Sequence, residues 1–443
     1  MKGILVIQIT RLGDILQSYP LLKDLQISYP EHQIHVLVNA SFTEISEIMS
    51  DFNFIALDFS KLTLETKDNS VNYSVEYLNR LISELNSYNF DYIVNLNNSP
   101  IAKEIFNKLI AKKKAGFSVE EKRNSEWALF ITSFLKNRTL NTVNLVDIFR
   151  YFLNVPVHKE NLSTNKKIKA IAIQCGARNH KRQFEIRHYM EIINYYQQLN
   201  YQVYLLGIES EIPIAQKILT QLNDKSLVIN MVNKTNITEL FNLISKCERL
   251  YTPDTGTMHI SAYCSTPFTA FFCGPAYPYE TLGYSSLASF IMPNPNIFKC
   301  YPCKDDDKCP YNHECHNFSF TNFLNGDKQT DFIYGNAYYD SIGQNLRIQD
   351  CHFDNYYSAL WRAFIKKYFF NLDEKFSSYP NESINNDIIR EIKLWDMIND
   401  KPDLISLSDN FNLLAPLVYY KKMLPDSSLA KATIDFFRQY HKG

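Results

Sequence analysis

The sequence predicts an α/β protein of two Rossmann-like domains facing a cleft, followed by a mostly helical extension. Three observations carry this. Up to residue 115, short apolar runs alternate with amphipathic helical runs, and the same alternation restarts after the polar stretch Thr164–Lys169. Strand–helix alternation of this kind builds a parallel, doubly wound sheet. Finally, 443 residues exceed what one ordinary core organises, and the alternation degrades beyond residue 320. The expected units are 1–163, 164–320 and 321–443.

Gly3–Ile9 is a continuous apolar run, as a strand buried on both faces requires. The polar turn Thr10–Gly13 follows. Asp14 stands where a helix N-cap belongs, and Ile15, Leu16, Tyr19, Leu22 and Leu25 recur at helical spacing. Strands are expected at Ile34–Val38, Phe54–Leu57 and Asp91–Leu96, with helices at Ser41–Met49, Val75–Leu85 and Ile101–Ala111. In the second half, strands at Ala170–Gln174, Gln202–Leu206, Leu227–Ile229, Arg249–Thr252 and Phe268–Phe272 alternate with helices. Those helices are Arg187–Leu199, Ile212–Leu222, Ile237–Lys246 and Thr257–Tyr263. Two such halves place a ligand cleft at the carboxyl ends of their strands. In the tail, Phe332–Tyr339 reads as part of a hairpin, and Tyr356–Phe370, Ile384–Ile398 and Leu429–Tyr440 as helices. No function is read from this tail, and a role in homo-oligomer assembly stays open.

A formal net charge of −1 gives no basic excess, so no nucleic-acid partner is expected. Lys112–Lys114, with Lys122 and Arg123, reads as a solvated helix end or as a contact for an anionic acceptor or membrane surface. The apolar run Gly3–Ile9 is broken by Arg11 and Asp14, too early for a signal peptide or a spanning helix. A cytoplasmic location with reduced cysteines is expected, and peripheral contact with an inner membrane stays open.

The most informative stretch is Arg249–Pro275, RLYTPDTGTMHISAYCSTPFTAFFCGP. A strand ends at Thr252, a turn holds Asp254 and Gly256, and a helix starts near Thr257. A helix start presents unpaired N–H groups and partial positive charge, which suits a diphosphate. Thr255 and Thr257 could add hydroxyl donors, and His259 sits on the first helical turn. Each of these residues alone also serves as ordinary helix capping. The ordered set Asp254, Thr255, Gly256, His259, Thr266-Pro267 and Gly274-Pro275 resembles glycosyltransferase family 9, the heptosyltransferase-like enzymes, whose signature is D-[ST]-G-x-x-H. The opening ILVIQITRLGDILQSYPLL, with its Gly13-Asp14 pair, is similar to that family's first strand and helix.

The resemblance covers roughly residues 1–320 and implies a GT-B fold with inverting transfer from a nucleotide-sugar, typically ADP-heptose. The first unit then takes the acceptor and the second the donor, through Asp254, Thr255, Gly256, Thr257, Met258 and His259. By resemblance Asp14 is the general base, on a loop with Arg11 and Gly13; the residues alone favour a helix cap. Gly13 is expected to give that turn a conformation resisted by residues with a Cβ. The family's lysine beside a Trp-Pro pair is replaced here. If Phe184 stands for the Trp, Arg182 takes the cation's place, with Lys181 beside it and Arg178 as a third candidate. Glu211 is the counterpart of an acidic residue that contacts the nucleoside, with Glu209 competing.

Cys300, Cys303, Cys309 and Cys315 fall within sixteen residues and open with C-x-x-C, which suits a structural zinc or iron. His313 and His316 could substitute as ligands; free thiols or disulfides are the alternatives. Family members carry a similar finger, and iron has been linked to it in the protein-modifying branch. Cys175, Cys247, Cys264 and Cys273 read as small buried residues, and Cys351 is unplaced. No D-x-D pair ends a strand, so no catalytic metal is expected; Asp305–Asp307 reads as solvated surface. No Walker loop or G-x-G-x-x-G follows a strand, which disfavours a kinase or a dehydrogenase. The acceptor could be a lipopolysaccharide core sugar, another lipid-linked glycan or a protein hydroxyl. The alternative from another class is a non-catalytic nucleotide-sugar-binding or assembly protein.

Overall fold

The computed structural model describes residues 2–62, 70–118, 138–157, 162, 165–303, 309–327, 329–349, 356–372, 388–395, 414, 416–417 and 429–440. Lys122, Arg123, Asp305–Asp307, Cys351 and parts of Ile384–Ile398 lie outside these residues. Among the described residues no helix is long and apolar enough to cross a membrane.

The first sheet is wholly parallel. It comprises β1 (Lys2–Ile7), β2 (His32–Asn39), β3 (Asn53–Leu57), β4 (Tyr92–Asn95) and β5 (Lys113–Gly116), in the order β3-β2-β1-β4-β5. Its helices are α1 (Leu12–Gln17), α2 (Tyr19–Ser28), α3 (Ser70–Ser87), α4 (Pro100–Lys108) and α5 (Leu145–Leu153). Along β1, Ile4 and Val6 enter one apolar cluster and Leu5 and Ile7 another, so both faces are covered.

Three local expectations change. The helix read from Asp14 onwards splits at Ser18, where α2 begins with Pro20 in its first turn. Proline has no N–H to continue α1 but fits a new helix start. Ser41–Met49 forms a 3₁₀ segment, Ala40–Glu47, opened by the Asn39 side chain accepting from the Ser41 amide. Lys112–Lys114 is not a helix end: Lys113 and Lys114 begin the edge strand β5. Lys113 stands 4.4 Å from the Tyr92 ring centroid, Lys112 pairs with Asp91, and Lys114 donates to the Leu109 carbonyl just past α4.

The second sheet runs β13-β12-β11-β10-β9-β6-β7-β8. Its strands are β6 (Ile168–Gln174), β7 (Gln202–Leu206), β8 (Val228–Asn230), β9 (Cys247–Pro253), β10 (Phe268–Phe271), β11 (Ala288–Pro293), β12 (Phe332–Asp340) and β13 (Gly343–Gln349). Its helices are α6 (Ile186–Gln198), α7 (Ile212–Gln221), α8 (Ile237–Lys246), α9 (Gly256–Tyr263), α10 (Pro278–Thr281) and α11 (Phe320–Asn325). The expected hairpin exists as β12–β13, but β12 pairs antiparallel with β11, so the sheet continues to Gln349 rather than ending by residue 320. Buried Phe332, Ile333 and Ala337 drive that docking. Strand order reverses between β1 and β4, and again between β6 and β9. Ligand crevices of such sheets open beyond the strands at these reversals.

In the extension, α12 (Tyr356–Phe370) and α13 (Leu429–Tyr440) build a separate apolar core around Trp361 and Phe437, whose rings meet edge-on at 4.9 Å. Leu140, Val143 and the hairpin-tip residue Ile342 complete this core, so the extension touches both halves.

A buried polar chain runs through the same seam. Arg150 on α5 bonds Asp24 and Asp147; Asp147 accepts from Tyr284 at 2.7 Å and from the Gln344 amide at 3.0 Å. Gly343, at φ +121°, is needed here twice over, because a Cβ would fall 2.0 Å from the Asp147 carboxylate. Arg362 of α12 then grips Asp340 with two bonds, 2.7 and 2.8 Å, beside Lys366 at 3.0 Å. Burial alone would raise the Asp340 carboxyl, but Arg362 and Lys366 bring it down to about 2. A depressed carboxyl stabilises the fold above its unfolded pKa of about 4, and that contribution is lost as pH falls toward about 2. Arg362→Leu, which removes the paired bonds and leaves Asp340 with Lys366 as its cation, should lower unfolding free energy by about 1.5–3 kcal/mol at neutral pH. Urea titrations at neutral and acid pH check this, and the gap between the proteins should narrow in acid.

Candidate active site

The two halves meet where α1 and α9 start. A Cβ on Gly13 would lie 3.5 Å from the Gly256 Cα and 3.5 Å from His259 Cδ2. Gly13 sits inside α1 and is absent from the residues with positive φ. A Cβ there would make only ordinary van der Waals contact with the second half, and the turn lacks the special conformation expected of it.

Asp14 is not an N-cap. Arg11 holds that position in extended geometry, without a side-chain cap, and Asp14 lies in the first turn. Its carboxylate is half-exposed, and Oδ2 accepts from the Thr10 hydroxyl at 2.6 Å. Arg11 is exposed at the rim.

On the opposite wall, Asp254 follows β9 and is nearly enclosed. It accepts from Arg182 at 2.7 Å and from the Thr281 hydroxyl at 3.3 Å. Burial pushes its carboxyl up against the opposing Arg182 charge, and the charges of Asp14 and Glu280 push the same way. Asp14 of the first half therefore shares an electrostatic neighbourhood with Asp254 of the second. Thr252, Thr255 and Thr257 form a hydroxyl triangle with sides of 2.8 to 3.1 Å. Thr255 is the N-cap residue of α9, but no side chain caps that helix start, which leaves its first amides to a ligand.

His259 is buried, its Nδ1 has no partner, and burial lowers it to about 4. It therefore faces the Gly13 seam as a neutral imidazole at physiological pH. Met258 is fully buried in the core and its amide bonds Thr255 O, so it offers no side chain to a ligand. That corrects its expected place in the donor set; the helical period turns residue 258 inward.

The two candidate cations separate. Arg182 turns to Asp254, whereas Lys181 lines the cavity under the cysteine cluster. Lys181 thus lies toward the cysteines and Arg182 toward Asp254; Arg178 is exposed. Phe184 is buried against Phe271 and Phe320. Glu211 is buried at the ends of β6 and β7, where Oε2 accepts from Gln174 at 3.0 Å and the Ile208 amide at 2.8 Å. Gly176 and Gly207 make room for it, since a Cβ on either would fall 2.6 Å from its carboxylate oxygens. Burial raises this carboxyl, opposed by those two bonds. Glu209 is exposed.

Sequence reasoning missed the ion pair across the cleft. Arg138 Nε donates to both Glu280 oxygens, at 3.0 and 3.2 Å, beside Thr281 and Asp254. Its partners stand 142 positions apart, and no local pattern announces such a pair. It also missed Gln8 and Asn97, which follow β1 and β4 at the sheet reversal, where the strand-end rule does point.

Cys300, Cys303, Cys309 and Cys315 form no disulfide and line one small cavity with His313 and His316. Burial pushes Cys303 and Cys315 up to about 12. His316 Nε2 lies 3.1 Å from Lys181 O, and the His313 amide donates to Cys309 Sγ. The donor chemistry fits zinc or iron, but among the described residues no group of three or more His, Cys, Asp or Glu is arranged to hold a metal. Cys175, Cys247, Cys264 and Cys273 are buried free thiols.

With this geometry in place, comparison with known proteins identifies the class. The model of glycosyltransferase family 9 (heptosyltransferase) matches residues 78–311, and the chain belongs to that family. It is 31% identical over 106 residues to lipooligosaccharide heptosyltransferase 2 of Haemophilus influenzae, a match spanning 24% of this chain and only 30% of that protein. It is 23% identical over 310 residues to the lipopolysaccharide core heptosyltransferase OpsX of the same organism, covering 66% of this chain and 84% of the relative. Among solved structures, Escherichia coli heptosyltransferase WaaC with ADP superposes with a TM-score of 0.52 at 15% identity, over 65% of this chain and 92% of that one. The fold is GT-B: two Rossmann-like domains facing a cleft.

Proposed function

We propose that the chain transfers heptose from ADP-heptose to a lipopolysaccharide core sugar, with inversion, using Asp14 as general base. The observation that carries this is the glycine contact of α1 and α9, which sets a half-exposed carboxylate opposite an uncapped helix start. The names of the relatives, heptosyltransferases of lipooligosaccharide and lipopolysaccharide, support the choice of sugar and acceptor.

In this reading the diphosphate lies on the first amides of α9 and beside Arg182, whose guanidinium keeps further donors after bonding Asp254. Glu211 accepts the ribose hydroxyls. The acceptor hydroxyl oxygen attacks the anomeric carbon while Asp14 takes its proton. The bond from that carbon to the diphosphate breaks, and ADP leaves with the electron pair, its charge met by Arg182 and the helix start. His259, neutral, offers hydrogen bonding without adding charge. The protein works at the cytoplasmic side of a membrane that carries the acceptor.

Incubation with ADP-heptose and with ADP-glucose, plus heptose-deficient lipopolysaccharide, should release ADP from the heptose donor. Mass spectrometry reads both ADP and glycosylated acceptor. Asp14→Asn should lower turnover by about a hundredfold or more with donor affinity retained. Full activity in that variant contradicts the base assignment, and donor binding without ADP release contradicts transfer.

The cysteine finger is proposed to close on one structural zinc or iron, drawing its four sulfurs together and displacing their protons. Metal analysis of the purified protein should find that ion, and Cys303→Ser should lose it. A metal-free wild-type protein with its fold intact contradicts the finger assignment.

A further inference from the structure

We infer that Thr10, oriented by Asn97, is a positioning residue that aims the Asp14 carboxylate at the acceptor hydroxyl. The inference rests on the reading of Asp14 as the base.

Proton directions are set outward from the first sheet. Asn97 follows β4 and is buried, and Oδ1 accepts from the Ile9 amide at 2.5 Å. A backbone N–H can only donate, so this bond fixes which way the Asn97 amide faces. Its own backbone amide donates to Asn95 Oδ1 at 3.0 Å, which holds the loop. The Asn97 Nδ2 group then donates to Gln8 Oε1 and to Thr10 Oγ1, the latter at 3.3 Å. Having received a proton from Asn97, the Thr10 hydroxyl turns its own toward Asp14 Oδ2, 2.6 Å away.

The same amide orients a second arm. Gln8 receives at Oε1, so its Nε2 donates to Ser18 Oγ at 2.9 Å and to Asp14 O at 3.4 Å. Ser18 in turn donates to Asp14 O at 2.8 Å. Asp14 is thus held through its main chain by one arm and through one carboxylate oxygen by the other. Oδ1 is left for the acceptor. Gln8 and Asn97 sit just past β1 and β4, the strands between which the sheet order reverses, so the fold itself anchors the device. A hydroxyl is the right group at residue 10, because it can receive from Asn97 and donate to a carboxylate at once. A base placed loosely by even a small angle loses the near-attack geometry that proton transfer requires.

The test compares steady-state ADP release from ADP-heptose, with heptose-deficient lipopolysaccharide, in the full-length protein. Thr10→Val keeps the shape and removes the donor. It should lower kcat by about tenfold to a hundredfold, with KM for ADP-heptose changed by no more than about twofold. Thr10→Ser should recover most of that loss. In an Asp14→Asn background, Thr10→Val should cost nothing further, because its effect runs through the carboxylate. A Thr10→Val rate within about twofold of wild type overturns the inference, as does an equal loss in both backgrounds. Wild-type activity in Asp14→Asn alone removes the base reading itself, a different result from either.

Discussion

The rest of the site depends on one backbone contact. The first turns of α1 and α9 meet at Gly13 and Gly256, where a Cβ on Gly13 would touch Gly256 Cα and the His259 ring, each at 3.5 Å. In the proposed reaction each turn depends on the other: a base at Asp14 needs the donor held at α9, and a donor on the uncapped amides of α9 needs a base facing it. The contact also explains why His259 is neutral. Its ring is enclosed by the opposing helix, so charging it would strand a cation away from water.

Two sets of ionic contacts keep this meeting in register. Arg138 and Glu280 join the halves at the cleft itself, where both remain partly exposed. Deeper in, Arg150, Asp147, Tyr284 and Gln344 link α5 to the second sheet, and Arg362 with Asp340 brings in the extension. Replacing such buried charges with apolar residues is often neutral in stability, whereas removing one partner is costly. Their contribution here is to fix the relative placement of the halves. Among the described residues the extension meets the two halves at this seam, with an aromatic core of its own.

The alternation of apolar runs and amphipathic helices made both sheets legible, because fully buried parallel strands leave uninterrupted apolar segments. Ala288–Pro293 is interrupted by Ser289 and separated from β10 by only the four-residue α10, so it lacks the alternation signal. Lys113 and Lys114 were misplaced because an edge strand tolerates lysines that look like a helix end. In the site, Asp254 to His259 was legible as a helix start, but the inward turn of Met258 and the divergence of Lys181 from Arg182 depend on packing. Arg138 and Glu280, joined over a long stretch of chain, had no local signature. Thr10 and Asn97 are ordinary residue types whose meaning appears only when two strand ends lie side by side.

The central claim is that a nucleotide-sugar bridges the two helix starts. A diffraction structure of the Asp14→Asn protein with ADP-heptose tests it most directly. The diphosphate should lie on the first amides of α9 within reach of Arg182, with the anomeric carbon facing residue 14. Density for the nucleotide in the tyrosine-lined cavity behind this contact, between α2 and α9, would contradict the account.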